Sequence, residues 1–166
     1  VVSFGAIKGG IRYNIIPDEV ELIGTIRTFD EGMRQKVFAD LISVAKNVAA
    51  AHGATVITEV PDTKGNPVTV NNPALTARSL PGLIQAAGAA NVVNMSLVMG
   101  AEDFSYYAQE VPGFFFFVGA TPIGKDASSA PSNHSPQFFL DEAALPLGTR
   151  ALLQVSLDYL SGATDD

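Results

Sequence analysis

The sequence predicts an α/β chain in two parts. Roughly the first 60 residues read as part of an antiparallel α+β sandwich, and the last 95 or so as a buried α/β layer with a mainly parallel sheet. Three observations carry this. Val20, Leu22 and Ile26 recur at period two directly after a first strand-like run, as in a half-buried antiparallel pair. A turn-rich stretch, Pro61-Asp62-Thr63-Lys64-Gly65-Asn66-Pro67, interrupts the chain. Beyond it, Phe114-Phe115-Phe116-Phe117-Val118 is apolar without alternation, the pattern of a strand covered on both faces.

Taken in order, residues 2–7 form a strand closed by Gly9-Gly10, and residues 19–29 its partner. Asp30 can cap a helix over 31–52, with Met33, Val37, Leu41, Val44 and Val48 as its apolar stripe and Gly53 as its stop. Residues 54–60 follow as a strand. After the turn-rich break, Asn72 caps a helix over 73–87 that starts on Pro73 and is bent at Pro81-Gly82. A short strand over 94–99 ends at Gly100, and a short helix covers 102–109. A helix over 141–161 closes the pattern, its start blurred by Pro146 and Gly148.

Composition narrows the function classes. Hydrophobic residues make up 47% and charged residues 16%, so the chain builds cores. Ten Lys and Arg against seventeen Asp and Glu give a net charge of −7, with the basic residues scattered. That argues against a nucleic-acid partner, which needs a basic stripe. The apolar runs fall short of the ~20 residues that span a bilayer, so no membrane partner is expected. With no cysteine there is no disulfide, thiolate metal site or cysteine nucleophile. The first residues read as the inside of a strand, which suggests a fragment or a processed product and leaves the compartment open.

Few residues can carry chemistry. His134 leaves a Ser/Pro-rich run, Asp126 to Asn133, and could ligate a metal, although a loop histidine is most often a surface residue. His52, at a helix end beside Gly53, complements the macrodipole. In Met99-Gly-Ala-Glu-Asp-Phe104, Gly100 would open the backbone, while Glu102 and Asp103 sit at the carboxyl end of the expected strand, where open α/β sheets take ligands. The plainer reading is that both acids complement a helix N-terminus. Asn14 at a strand entrance and Arg27 on a strand could together receive a carboxylate, since the guanidinium is a planar fork of donors. An exposed strand arginine is otherwise simply solvated.

The order of these motifs is more telling than any one of them. Asn14-Ile-Ile-Pro-Asp18, Gly24-Thr-Ile-Arg-Thr-Phe29, Met99-Gly-Ala-Glu-Asp-Phe104, Pro112-Gly-Phe-Phe-Phe116 and His134-Ser-Pro136 resemble the C-terminal half of the metal-dependent amidohydrolases and carboxypeptidases. That family includes hippurate hydrolase, N-acyl-amino-acid amidohydrolase and the indole-acetyl-amino-acid hydrolases. The resemblance extends over essentially all of residues 1–161. It implies a catalytic α/β domain with two divalent metals, zinc first and manganese or cobalt as alternatives, interrupted by a smaller lid domain through which the protein forms a homodimer. Residues 1–70 then correspond to the second half of the lid, and 71–166 to the C-terminal half of the catalytic domain. The resemblance makes His134 the last metal ligand, Glu102 and Asp103 a pocket-lining acidic motif, and Asn14 a holder of substrate carboxylate, with Arg27 a candidate for the same task. The substrate would be a small N-acyl amino acid or peptide-like molecule.

On that template the general-base glutamate and the remaining ligands precede Val1. One ligand histidine without cysteines cannot close a catalytic zinc site, which takes three protein ligands, so the chain alone is expected to be inactive. The competing reading is a stand-alone dimerisation or ligand-binding module without catalysis. Half a sandwich would leave an open sheet edge, which counts against it. A glycosidase using Glu102 and Asp103 as its acid pair fits poorly, because that chemistry needs separated, opposed carboxyl groups.

Overall fold

A computed structural model describes residues 1–60 and 65–162. The turn expected over 61–67 therefore lies outside the described residues for its first four positions. The chain divides into two compact units, one of residues 1–68 with 97–105, the other of residues 69–96 with 106–166.

In the first unit, β1 (Val2–Gly9) and β2 (Val20–Ile26) pair antiparallel. The register pairs Phe4 with Gly24 but Ala6 with Ile23, so Gly5 is an extra residue on β1. Such a bulge shifts the side-chain alternation by one. It sets Val2, Phe4 and Ile7 opposite Ile26, Gly24 and Leu22, on one face despite their uneven spacing. Glycine at 24 follows from this, because a Cβ there would collide with the Ser3 carbonyl oxygen and lie 3.0 Å from the Phe4 ring. The face is apolar and largely uncovered: Phe4 is 52% exposed, Ile7 70% and Leu22 55%.

Helix α1 (Glu31–Ala51) begins as predicted, with the Asp30 carboxylate accepting from Met33 N–H at 2.7 Å. It stops at His52, and Gly53 takes a positive φ of 69°. Its covered stripe only partly matches the expected one. Val37 and Leu41 are half-buried as expected, together with Arg34, Phe38, Ile42, Ala45 and Ala49, whereas Met33, Val44 and Val48 are exposed. The helix carries apolar residues on both stripes, so periodicity alone cannot choose between them. Arg34 marks the covered one, its guanidinium 2.7 Å from Glu31 and 6.0 Å from the centre of the Phe38 ring.

In the second unit, α2 (Pro73–Ala87) packs on α4 (Ala144–Ser161). The Asn72 side chain caps α2 at Leu75 N–H, 2.9 Å, and Pro73 stands in its first turn. The helix is unbroken through Pro81. Its buried residues, Ser79, Gly82, Leu83 and Ala86, form one stripe of mostly small side chains that lets α4 approach closely. A Cβ on Gly82 would come within 2.5 Å of Asp158 Oδ2 on α4. Leu83, Ala86 and Ala151 form the core, with Val92, Phe114, Phe116 and Val155 packed against it. The short α3 (Phe104–Glu110) falls close to the predicted 102–109. No helix among the described residues is long and apolar enough to cross a membrane.

The mixed α/β character is present, but the mainly parallel sheet is not. Among the described residues the one sheet is the β1–β2 pair, and 54–60, 94–99 and 114–118 form no ladder. Strand-like composition marks a segment that fits a pleated surface, and it becomes a strand only when a neighbouring backbone pairs with its N–H and C=O groups. No such neighbour is offered here, and Ile57 is left 90% exposed. The run 114–118 is also not covered on both sides. Phe114 and Phe116 pack toward the core, while Phe115 meets Phe117 edge-on and Phe117 is 60% exposed.

Candidate functional site

The acidic motif and Arg27 meet in the first unit. Arg27 is the residue after β2, and its backbone pairs with Val1 across the sheet, Arg27 N–H to Val1 O at 2.9 Å. Its Nη1 donates to the carbonyl oxygen of Met99, the residue that opens the acidic turn. Glu102 is half-buried and well tied: its carbonyl accepts from Ser105 Oγ at 2.6 Å, and its Oε1 accepts from Phe104 N–H at 3.3 Å. The helix-complementing reading of Glu102 thus has a real counterpart at the start of α3. Asp103 is exposed. A Cβ on Gly100 would meet nothing within 4 Å, so no contact within this chain requires glycine there.

Asn14 lies in the connection between β1 and β2, exposed and without a hydrogen-bond partner among the described residues. Its neighbours Tyr13 and Ile16 are 103% and 93% exposed. A cleft of about 690 Å³ under this connection is lined by Lys8, Ile15, Pro17 and Glu19 among others, but not by Asn14. Its position follows from the hairpin loop and not from any of the predicted site residues.

His134 belongs to the second unit; Arg27, Glu102 and Asp103 belong to the first. It is exposed, and its imidazole makes no hydrogen bond to the described residues. The run before it is less loose than its composition suggests. Asp126 accepts from the Ser128 N–H at 2.9 Å and from the Ser128 hydroxyl at 2.8 Å, capping a single 3₁₀ turn over 127–129. These bonds hold the Asp126 carboxyl below its ordinary value, the Ser128 hydroxyl contributing most. Next, Ser135 N–H donates to Ser132 O at 2.8 Å and His134 N–H to Ser132 Oγ at 3.3 Å, so the histidine sits on a hydrogen-bonded turn. By composition the run reads as loose; the Asp126-Ala-Ser-Ser129 pattern is the signal that could have marked an Asx-type turn.

Can these residues hold a metal? Among the described residues, no three His, Cys, Asp or Glu side chains are grouped to do so. A neutral imidazole without competing hydrogen bonds suits one coordination position on zinc, manganese or cobalt. Among the described residues, then, His134 is an available donor with no grouped set of donors around it.

Comparison with known proteins places these features in context. Residues 5–158 match the sequence profile described as peptidase family M20/M25/M40. The chain is 38% identical over 159 residues to thermostable carboxypeptidase 2 of Saccharolobus solfataricus, covering 96% of this chain and 39% of that protein. It is 34% identical over 164 residues to IAA-amino acid hydrolase ILR1-like 4 of Arabidopsis thaliana, covering 96% and 36%. Among solved structures, the Bacillus subtilis YXEP protein, described as a dinuclear metal-binding peptidase from the M20 family, superposes with a TM-score of 0.70 at 30% identity. That match covers 97% of this chain and 42% of the other. The chain thus spans about two fifths of the length of the relatives it matches.

Proposed function

This chain belongs to peptidase family M20/M25/M40, and from that premise we propose that it is the C-terminal part of a metal-dependent amidohydrolase. The substrate class is the amide bond of N-acyl amino acids or similar peptide-like molecules. One observation carries the reading: the Arg27 guanidinium is hydrogen-bonded to the carbonyl that opens the Met99–Asp103 turn. A forked cation and a pair of carboxylates are thereby presented by one unit. An amino-acid substrate offers complementary groups, a carboxylate for the fork and an amide N–H for an acid.

In this reading Arg27 and Asn14 bind and orient the substrate carboxylate, which places the scissile amide. Glu102 and Asp103 line the pocket beside it, and Gly100 leaves the backbone there open to the substrate. His134 provides one imidazole to a two-metal centre whose other donors, with the general base, lie in sequence outside this chain. Such metals, when bound, polarise a carbonyl oxygen and acidify water. Residues 1–70 then form the second half of a lid, and 71–166 the C-terminal half of a catalytic domain. The uncovered apolar face of β1 and β2 supports a role in packing against further elements and in a homodimer, since a contiguous exposed apolar face marks an interaction surface.

The test is direct. The intact protein should hydrolyse hippurate-like N-acyl amino acids, and a chelator should abolish this. Residues 1–166 alone, supplied with Zn²⁺, Mn²⁺ or Co²⁺, should show no turnover. An intact protein inert toward a panel of N-acyl amino acids would overturn the reading. Turnover by the isolated chain would show that the remaining donors do not lie elsewhere.

A further inference from the structure

The acidic turn is fastened unequally at its two ends. At its far end, the Glu102 carbonyl and carboxylate hold Ser105 and Phe104 at the start of α3. At its near end the turn has no polar side chain of its own, and Met99 is half-buried. Gly100 has no side chain, and Ala101 has only a methyl group. Among the described residues, residues 97–101 are held by the hydrogen bond from Arg27 Nη1 to Met99 O, spanning 72 positions of sequence. Arg27 is suited to hold it. Its backbone is fixed by two bonds to Val1, at 2.9 and 2.7 Å, so the side chain springs from a stationary point.

We infer that Arg27 is a positioning residue for the acidic turn, holding Met99 and so setting where Gly100, Glu102 and Asp103 stand. This deepens the amidohydrolase reading and rests on it for its functional meaning. A guanidinium has five N–H donors, and one is used on Met99. On this proposal the remaining donors meet the substrate carboxylate, so a single side chain fixes the turn and receives the substrate.

The experiment is amide hydrogen exchange on the intact protein, read over residues 99–105 with α1 as the control for folding. Arg27→Ala should accelerate exchange at Phe104 and Ser105 about tenfold, the scale of one lost hydrogen bond acting on a local opening, while α1 is unchanged. Arg27→Lys should restore most of that protection, since one donor suffices for Met99. It should not restore the preference for free-carboxylate over amidated substrates, since an ammonium lacks the fork. If Arg27→Ala fails to fold, Arg27→Met, which keeps the apolar stem, takes its place with the same expectation. Unchanged exchange over 99–105 in a folded variant overturns the positioning role. Exchange does not depend on turnover. An intact protein that shows the exchange change but cleaves no N-acyl amino acid would overturn the amidohydrolase reading and leave the positioning role supported.

Discussion

Asn71 and Phe115 form a reciprocal pair: Asn71 Nδ2 donates to the Phe115 carbonyl at 2.8 Å, and Asn71 Oδ1 accepts from the Phe115 N–H at 2.7 Å. A side-chain amide here does what a neighbouring strand would do for both backbone groups of one residue. Asn72 extends the contact, its N–H donating to Gly113 O at 2.8 Å. The result fixes an otherwise unladdered run so that Phe114 and Phe116 reach the core of Leu83, Ala86 and Ala151.

Asn71→Ala should therefore destabilise the second unit by about 1–3 kcal/mol, because it strands two partly buried backbone groups. Asn71→Asp should be no milder, since it replaces the donor facing a carbonyl with an acceptor. Denaturant unfolding of the intact protein, followed through exchange in α2 and α4, would measure both. A loss of less than about 0.5 kcal/mol, the usual range of an inconsequential surface change, would mean that the pair does not hold the run.

The Asp126 turn gives a pH dependence with a definite sign. Its carboxyl is held below the ordinary value, first by the Ser128 hydroxyl and then by the Ser128 N–H. A depressed carboxylate contributes order that is present above the ordinary value and is lost as pH falls through the folded value. The turn leading to His134 should thus stay ordered at neutral pH and loosen only under acid conditions. Ser128→Ala should move the Asp126 midpoint upward in an NMR titration of the carboxyl carbon. A midpoint unmoved by that substitution would assign the depression to another cause.

How much of this was legible in the sequence depended on whether a local signal had a local partner. The caps at Asp30 and Asn72 and the pairing of β1 with β2 were readable, because each is completed within a few residues or by the next element. The covered stripe of α1 was only partly placed: Val37 and Leu41 are half-buried, but Met33, Val44 and Val48, equally apolar, are exposed. Residues 54–60, 94–99 and 114–118 read as strands from composition, but a strand is defined by its neighbour, and none pairs with them among the described residues. At the site, residue types named the candidates, yet the bond from Arg27 to Met99 was not readable, because one partner is a backbone carbonyl with no sequence signature. His134 could be singled out by residue type, but among the described residues no three metal-ligating side chains are grouped, so its proposed role rests on no geometry that the sequence could have shown.

Asn14 provides a prediction on specificity. In the intact protein, Asn14→Ala should weaken binding of substrates with a free carboxylate by about 1.5–3 kcal/mol, the usual worth of a hydrogen bond to a charged group. Analogues with that carboxylate amidated should be nearly unaffected. Competition assays with matched pairs of substrates would show this as a rise in KM for one member alone. Equal losses on both members would count against a carboxylate receptor.

The most direct test of the central claim, that this chain contributes a ligand to a metal centre completed elsewhere, is the metal retained by the intact protein carrying His134→Ala. His134 is exposed, and its imidazole is engaged by none of the described residues, so the substitution should leave the fold intact. Metal per protomer, measured after dialysis alongside the unaltered protein, should fall, and hydrolysis of N-acyl amino acids should be lost with it. Full metal content with activity preserved would contradict the account and make His134 an ordinary surface histidine.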